Sequence, residues 1–131
     1  MRTIAVCNLK GGVAKTATVI NVAAVLAKDY KQMVLVVDAD SQCNTTEFFG
    51  GEPEKGSLAQ LLRMEPDPYL GYDETAVAAI QPSNFEGIDI LCGEDSLMDL
   101  DLSKVEMQEV NVTVLRELRR YLDAMSDPDG D

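Results

Sequence analysis

Apolar positions change their period twice within the first forty residues. Ile4-Ala5-Val6-Cys7 is a short unbroken apolar run, which predicts a buried strand over Thr3–Asn8, ended by the glycine turn that follows. Val19, Val22, Ala23, Leu26 and Ala27 then recur at helical spacing and predict a helix over Lys15–Lys28, its alanines suited to close packing on a sheet. No glycine ends that helix, so Asp29-Tyr30-Lys31 must make the turn. Met33-Val34-Leu35-Val36-Val37 is a continuous, mostly β-branched run, the pattern of a strand covered on both faces of a parallel sheet. Strand, helix and strand together predict one right-handed βαβ unit.

Beyond Asp38 the pattern weakens. Asp40-Ser41-Gln42-Cys43-Asn44-Thr45-Thr46 is polar and reads as a loop at the C-terminal edge of the sheet, the edge where open α/β sheets bind ligands. Glu47–Gly56 reads as a surface connection, and Ser57 as the cap of a short helix over Leu58–Arg63. Glu65-Pro66-Asp67-Pro68 ends that helix. Thr75–Ile80 fits a helical turn or an edge strand equally well. Gly87–Gly93 is a third strand bounded by glycines, Leu97–Leu102 a short helical turn, and Val112–Met125 an amphipathic helix with Leu115, Leu118, Tyr121 and Leu122 on one face. The acidic end, 126–131, is expected to fray.

Composition narrows the function classes. With 131 residues, 46% hydrophobic and 26% charged, the chain is globular and one domain at most. Eleven basic against 23 acidic residues leave a net charge of −12, which argues against nucleic-acid binding through the average surface of this segment. The absence of histidine removes His-based triads and most metal-ligand schemes. Cys7, Cys43 and Cys92 lie far apart without CxxC spacing, so neither a zinc site nor a disulfide framework is indicated. No signal peptide or membrane-spanning run is seen, and a cytoplasmic protein is expected.

Two stretches carry chemistry. In Lys10-Gly11-Gly12-Val13-Ala14-Lys15-Thr16 a strand passes through a glycine-rich turn into a helix, which presents backbone N–H groups and a helix N-terminus to an anion. The usual pattern GxxxxGK[ST] is broken at both glycines, by Leu9 and Ala14, but Lys15-Thr16 keep their places. The N–H groups from Gly11 to Thr16 would wrap a β-phosphate, Lys15 would bridge β- and γ-phosphates, and the Thr16 hydroxyl would ligate Mg²⁺. A plain glycine turn with exposed lysines would look the same in isolation. The second stretch weighs against that: the strand Val34–Val37 delivers Asp38 to the same edge, with Asp40 two residues on. A hard cation beside a triphosphate wants oxygen ligands, and an attacking water wants an oriented carboxylate.

KGGVAKT followed by VVDADSQCNTT resembles the ParA/MinD branch of P-loop ATPases, which carry a deviant Walker A motif with an extra lysine. It is most similar to ParA-type partition ATPases, whose pattern is KGGVGKTT and then a strand ending DxDPQxNxT. The match is close over residues 2 to 50 and looser to Cys92. The resemblance implies an α/β fold: a P-loop NTPase-like three-layer sandwich with a mostly parallel sheet. It implies ATP and Mg²⁺ as cofactors, with Lys10, Lys15 and Asp40 catalytic. Gly11, Gly12, Val13, Ala14, Lys15, Thr16 and Ala17 would hold the nucleotide, and Thr16 and, through water, Asp38 would hold the metal. By the same resemblance Lys10 reaches across an ATP-dependent homodimer, Asp40 positions the attacking water, and the family drives plasmid or chromosome segregation. Nonspecific DNA, bound through other parts of a longer protein, and a ParB-like stimulating partner are implied, with a nucleoid-associated location and no membrane. Three departures stand out: Ala14 for a glycine, Ala17 for a threonine expected at the α-phosphate, and Ser41 for a proline, which should loosen the loop slightly.

The family's strand bearing the Walker B aspartate follows a helix like Val112–Met125, and no such strand follows here. Residues 1–131 are therefore expected to be the N-terminal part of a single P-loop ATPase domain, with the sheet incomplete. The first strand would lack its neighbour, and association or instability is expected. Three alternatives stay open: a MinD-like ATPase, a cluster-assembly ATPase, and a truncated nucleotide-binding interaction module without turnover.

Overall fold

The computed structural model describes residues 2–6, 14–63 and 77–95. Helix α1 runs over Lys15–Lys28, the span its apolar spacing predicts. Ala23 and Ala27 are buried, with Val19 and Ile20 packed beside them, so the small residues let the helix axis lie close to the sheet. The helix ends as its lack of glycine requires. Lys31 takes the left-handed conformation, φ 54°, after Asp29 and Tyr30 have both donated to the Val25 carbonyl.

Strand β1 (Val34–Val37) pairs in parallel with β3 (Ile88–Leu91), Val34 opposite Ile88 and Val37 opposite Leu91. The two-residue strand β2 (Gln81–Pro82) adds antiparallel to the far side of β3, giving the order β1-β3-β2. Of the stretch 75–80, open between turn and strand, residues 77–79 form a helical turn that leads into β2. Val34 and Val36 meet α1, with Ile88, Ile90, Cys92 and Phe49 completing that core. Leu35 and Val37 alternate to the opposite face, where Val37 is 45% exposed. The two-sided burial expected of β1 is thus corrected: among the described residues, α1 covers one face and the other is partly open.

A second correction concerns the N-terminus. Residues 2–6 form no strand, residues 2–5 are exposed, and Ile4 keeps 66% of its surface in contact with solvent. The buried first strand, and with it the βαβ unit, is absent from the described residues. A parallel strand exists only where it makes a ladder, and residues 2–6 pair with none of the three described strands. The expected elements at 97–102 and 112–125 lie outside the described residues.

Past β1 the polar stretch is shorter as a loop than its composition suggests. Asn44–Phe48 forms helix α2, entered through Cys43 in the left-handed conformation at φ 59°. A 3₁₀ turn over Pro53–Lys55 follows, and then α3 over Leu58–Arg63. Ser57 caps α3 as its position predicts: its hydroxyl accepts from the Gln60 N–H at 3.2 Å and donates to Glu94 Oε2 at 2.8 Å. Ser57 also bridges Cys92, and the Leu58 N–H donates to the Cys92 carbonyl at 2.8 Å, so α3 starts against the end of β3.

Candidate functional site

Four backbone ends converge at the C-terminal edge of the sheet. The ladder runs one bond past β1, where the Asp38 N–H donates to the Leu91 carbonyl at 3.0 Å, and this holds Asp38 at the strand's tip. Asp38 is buried at 4% exposure. Its Oδ2 accepts from the Thr46 N–H at 2.9 Å and from the Thr46 hydroxyl at 2.6 Å, and its Oδ1 accepts from the Asp40 N–H at 3.1 Å. Three donors replace the water that burial removes, which is how a carboxylate is tolerated there. The Gly93 N–H, just past β3, donates to the Thr46 hydroxyl oxygen at 2.8 Å.

Asp40 stands further out. Its Oδ1 accepts from the Gln42 N–H at 3.0 Å, and its Oδ2 meets the Lys15 ammonium at 3.0 Å. The Gln42 N–H first, and Lys15 second, hold the Asp40 carboxyl below its ordinary range. Lys15 opens α1, so this ion pair ties the helix N-terminus to the loop after β1. Ala14, at the N-cap, provides no side-chain cap and sits at φ 61°, ψ 23°, and the first turn holds no acidic residue. The positive end of a 14-residue helix therefore faces this edge without a protein carboxylate in its own first turn. Thr16 and Ala17 lie in the same turn.

The structure thus brings Lys15 and Asp40 into contact, with Asp38 behind them. Lys10, Gly11, Gly12 and Val13 lie outside the described residues. Two residues of the edge escaped sequence reasoning, Thr46 and Gly93. Thr46 closes the VVDADSQCNTT stretch, and Gly93 bounds the third strand, so both were in view without an assigned role. Cys43 is a third neighbour. Burial, followed by the Asp38, Asp95, Asp40 and Glu94 carboxylates, pushes its thiol above the ordinary range, which leaves it a poor nucleophile.

A family model described as an AAA domain matches residues 1–127. A ParA family protein of Chlamydia trachomatis serovar D is 35% identical over 104 residues, spanning 79% of this chain and 38% of its own. The chromosome partitioning protein ParA of Caulobacter vibrioides is 33% identical over 121 residues, spanning 91% of this chain and 40% of its own. The chain belongs to the AAA-domain family, in its ParA-type branch. Among solved structures, cobyrinic acid a,c-diamide synthase from Mycobacterium smegmatis, with bound ADP and magnesium, superposes with a TM-score of 0.65 at 29% identity. That match covers 86% of this chain and 44% of the synthase. The expected fold class holds: this ParA-type chain has the α/β architecture of a P-loop NTPase, with a mixed sheet among the described residues. It spans about two-fifths of the length of the curated relatives named here.

Proposed function

We propose that this ParA-type chain carries the nucleotide site of an ATPase that binds ATP with Mg²⁺, pairs with a second copy of itself and serves DNA partition. The observation that carries the reading is the Lys15–Asp40 contact at 3.0 Å, at the open end of α1 and beside the buried Asp38. A lysine, an uncapped helix N-terminus and two carboxylates on one sheet edge suit a polyphosphate with a hard cation. Among the described residues no three acidic or cysteine side chains are arranged to hold a metal by themselves, so Mg²⁺ would take most of its oxygens from phosphate and water. Thr16 would ligate it directly and Asp38 through water. The metal's contribution is to neutralise charge on the phosphate oxygens.

In the described state Lys15 and Asp40 occupy one another. A phosphate reaching the N-terminus of α1 competes for the Lys15 ammonium, and the Asp40 carboxylate is then free to orient a water. Lys10, at the front of the glycine turn, supplies the charge that would reach a partner's phosphates, and this makes hydrolysis depend on pairing. Calorimetric titration of ATP with Mg²⁺ tests the site. We expect saturable binding that is abolished in Lys15→Ala; no binding by the parent chain removes the reading.

One observation favours a second reading, binding without turnover. The segment before the glycine turn, residues 2–6, stands outside the sheet, so the described strands do not brace the front of the cradle. Phosphate release separates the two. Hydrolysis by this chain alone eliminates the passive module, whereas binding without release, even at high protein concentration, supports it.

A further inference from the structure

The hydroxyl of Thr46 stands between a donor and an acceptor that leave it one orientation. The Gly93 N–H can only donate, and it takes a lone pair of Thr46 Oγ1 at 2.8 Å. The hydroxyl proton must then point at Asp38 Oδ2, 2.6 Å away. The Thr46 N–H reaches the same oxygen at 2.9 Å. Oδ2 is thereby engaged twice, while Oδ1 takes only the Asp40 N–H at 3.1 Å among the described residues. The carboxylate is held in one rotation, with Oδ1 the oxygen left with spare acceptor capacity.

Gly93 adds a steric wall to the same lock. A Cβ built on it would lie 3.0 Å from Asp38 Cγ, 3.0 Å from the Asp38 carbonyl oxygen and 3.1 Å from that of Asp40. These are tighter than ordinary carbon contacts, and two of the three partners are backbone, which has little freedom to retreat. The end of β3 thus presses on the loop after β1 through a residue with no side chain. Thr46, on α2, ties that contact to the carboxylate.

We propose that Thr46 and Gly93 are positioning residues for Asp38: together they fix which carboxylate oxygen faces the cation of a bound nucleotide and hold the Asp38–Asp40 loop at the distance Lys15 needs. The proposal rests on the nucleotide-site reading above. Neither residue touches the nucleotide; both act through Asp38.

The test is the Mg²⁺ dependence of ATP binding by the whole chain, measured by calorimetry in parent, Thr46→Val, Thr46→Ser and Gly93→Ala. Losing a hydrogen bond to a charged group is expected to raise the Mg²⁺ concentration for half-maximal ATP binding about tenfold in Thr46→Val. Binding in excess chelator should stay at the parent level, and Thr46→Ser should restore the parent value. Gly93→Ala should mimic Thr46→Val through displacement of Asp38. Ala27→Gly, in the last turns of α1 and beside Gly87 at the opposite end of β3, controls for loss of stability and should keep the parent Mg²⁺ dependence. Amide exchange at Gly93 gives a second reading independent of nucleotide, and should be faster in Thr46→Val. If the parent responds to Mg²⁺ and Thr46→Val responds identically, the positioning role is overturned and the nucleotide site stands. If the parent binds no ATP at any Mg²⁺ concentration, both are overturned.

Discussion

Asp40 is the residue on which charge and position meet. Its carboxyl is held below the ordinary range by the Gln42 N–H and by Lys15, so the folded state prefers it ionised. A group whose folded value is depressed contributes stability above its unfolded value and loses it as pH falls through the folded one. The contribution is therefore complete at neutral pH and declines below about pH 4, the unfolded aspartate range. Both partners are about one-third exposed, so solvent screens the pair and salt weakens it. Thermal melts of the parent and Asp40→Asn should differ at neutral pH, and the difference should shrink as pH falls below about 4. A difference that persists unchanged into acid would show that the Asp40 carboxylate is not what stabilises the loop. Asp38 differs in kind. Its burial behind Thr46 makes it part of the scaffold as much as of the site.

At the scale of elements, the start of α1 holds strain that the sequence pattern anticipated only as a missing glycine. Ala14 occupies the left-handed region at φ 61°, ψ 23°. That conformation costs an L-residue roughly 1–2 kcal/mol, and glycine escapes the cost. Glycine also widens the unfolded ensemble, which offsets roughly 0.4–1 kcal/mol. The net expectation is that Ala14→Gly stabilises the chain by up to about 1 kcal/mol, read as a higher urea midpoint at unchanged slope. A lower midpoint would mean that the methyl group makes contacts worth more than the strain. The other helix ends follow the same logic. Lys31 closes α1 and Cys43 opens α2 in left-handed conformations, each at a place where the chain must reverse and no glycine is present. Gly87, at φ 84°, makes the corresponding turn into β3 without strain.

For the whole molecule, the decisive feature is the outer side of β1. Its one described partner is β3, Val37 on it is 45% exposed, and Met33, the residue just before it, is 87% exposed. Unpaired strand edges with apolar side chains beside them recruit other chains. The chain is expected to associate as concentration rises, with light scattering and sedimentation giving a mass above 14.3 kDa. A strictly monomeric sample that melts cooperatively would show that this edge is covered. The net charge of −12 opposes association at low ionic strength, so added salt should strengthen it.

Elements whose cues lie within a few residues of one another were legible from residue order alone. The span of α1, the third strand, the Ser57 cap and the positions of Lys15, Asp38 and Asp40 on one edge follow from apolar spacing, capping and strand-end placement. These depend on neighbours a few residues away. Tertiary structure decided what depends on distant partners. Ile4-Ala5-Val6 has a strand's composition but forms none in residues 2–6, because a strand exists only with a ladder beside it. Asn44–Thr46 reads as polar loop and Glu47–Phe48 as surface connection, yet together they form α2, where Thr46 satisfies the buried Asp38 carboxylate eight residues back. The lock through Gly93 joins residues 47 apart in the chain, a separation that no local pattern spans. The order of residues names the groups that line this edge; the packing of β1, β3 and α2 decides that Oδ2 of Asp38 is held by Thr46 and that Oδ1 keeps spare acceptor capacity.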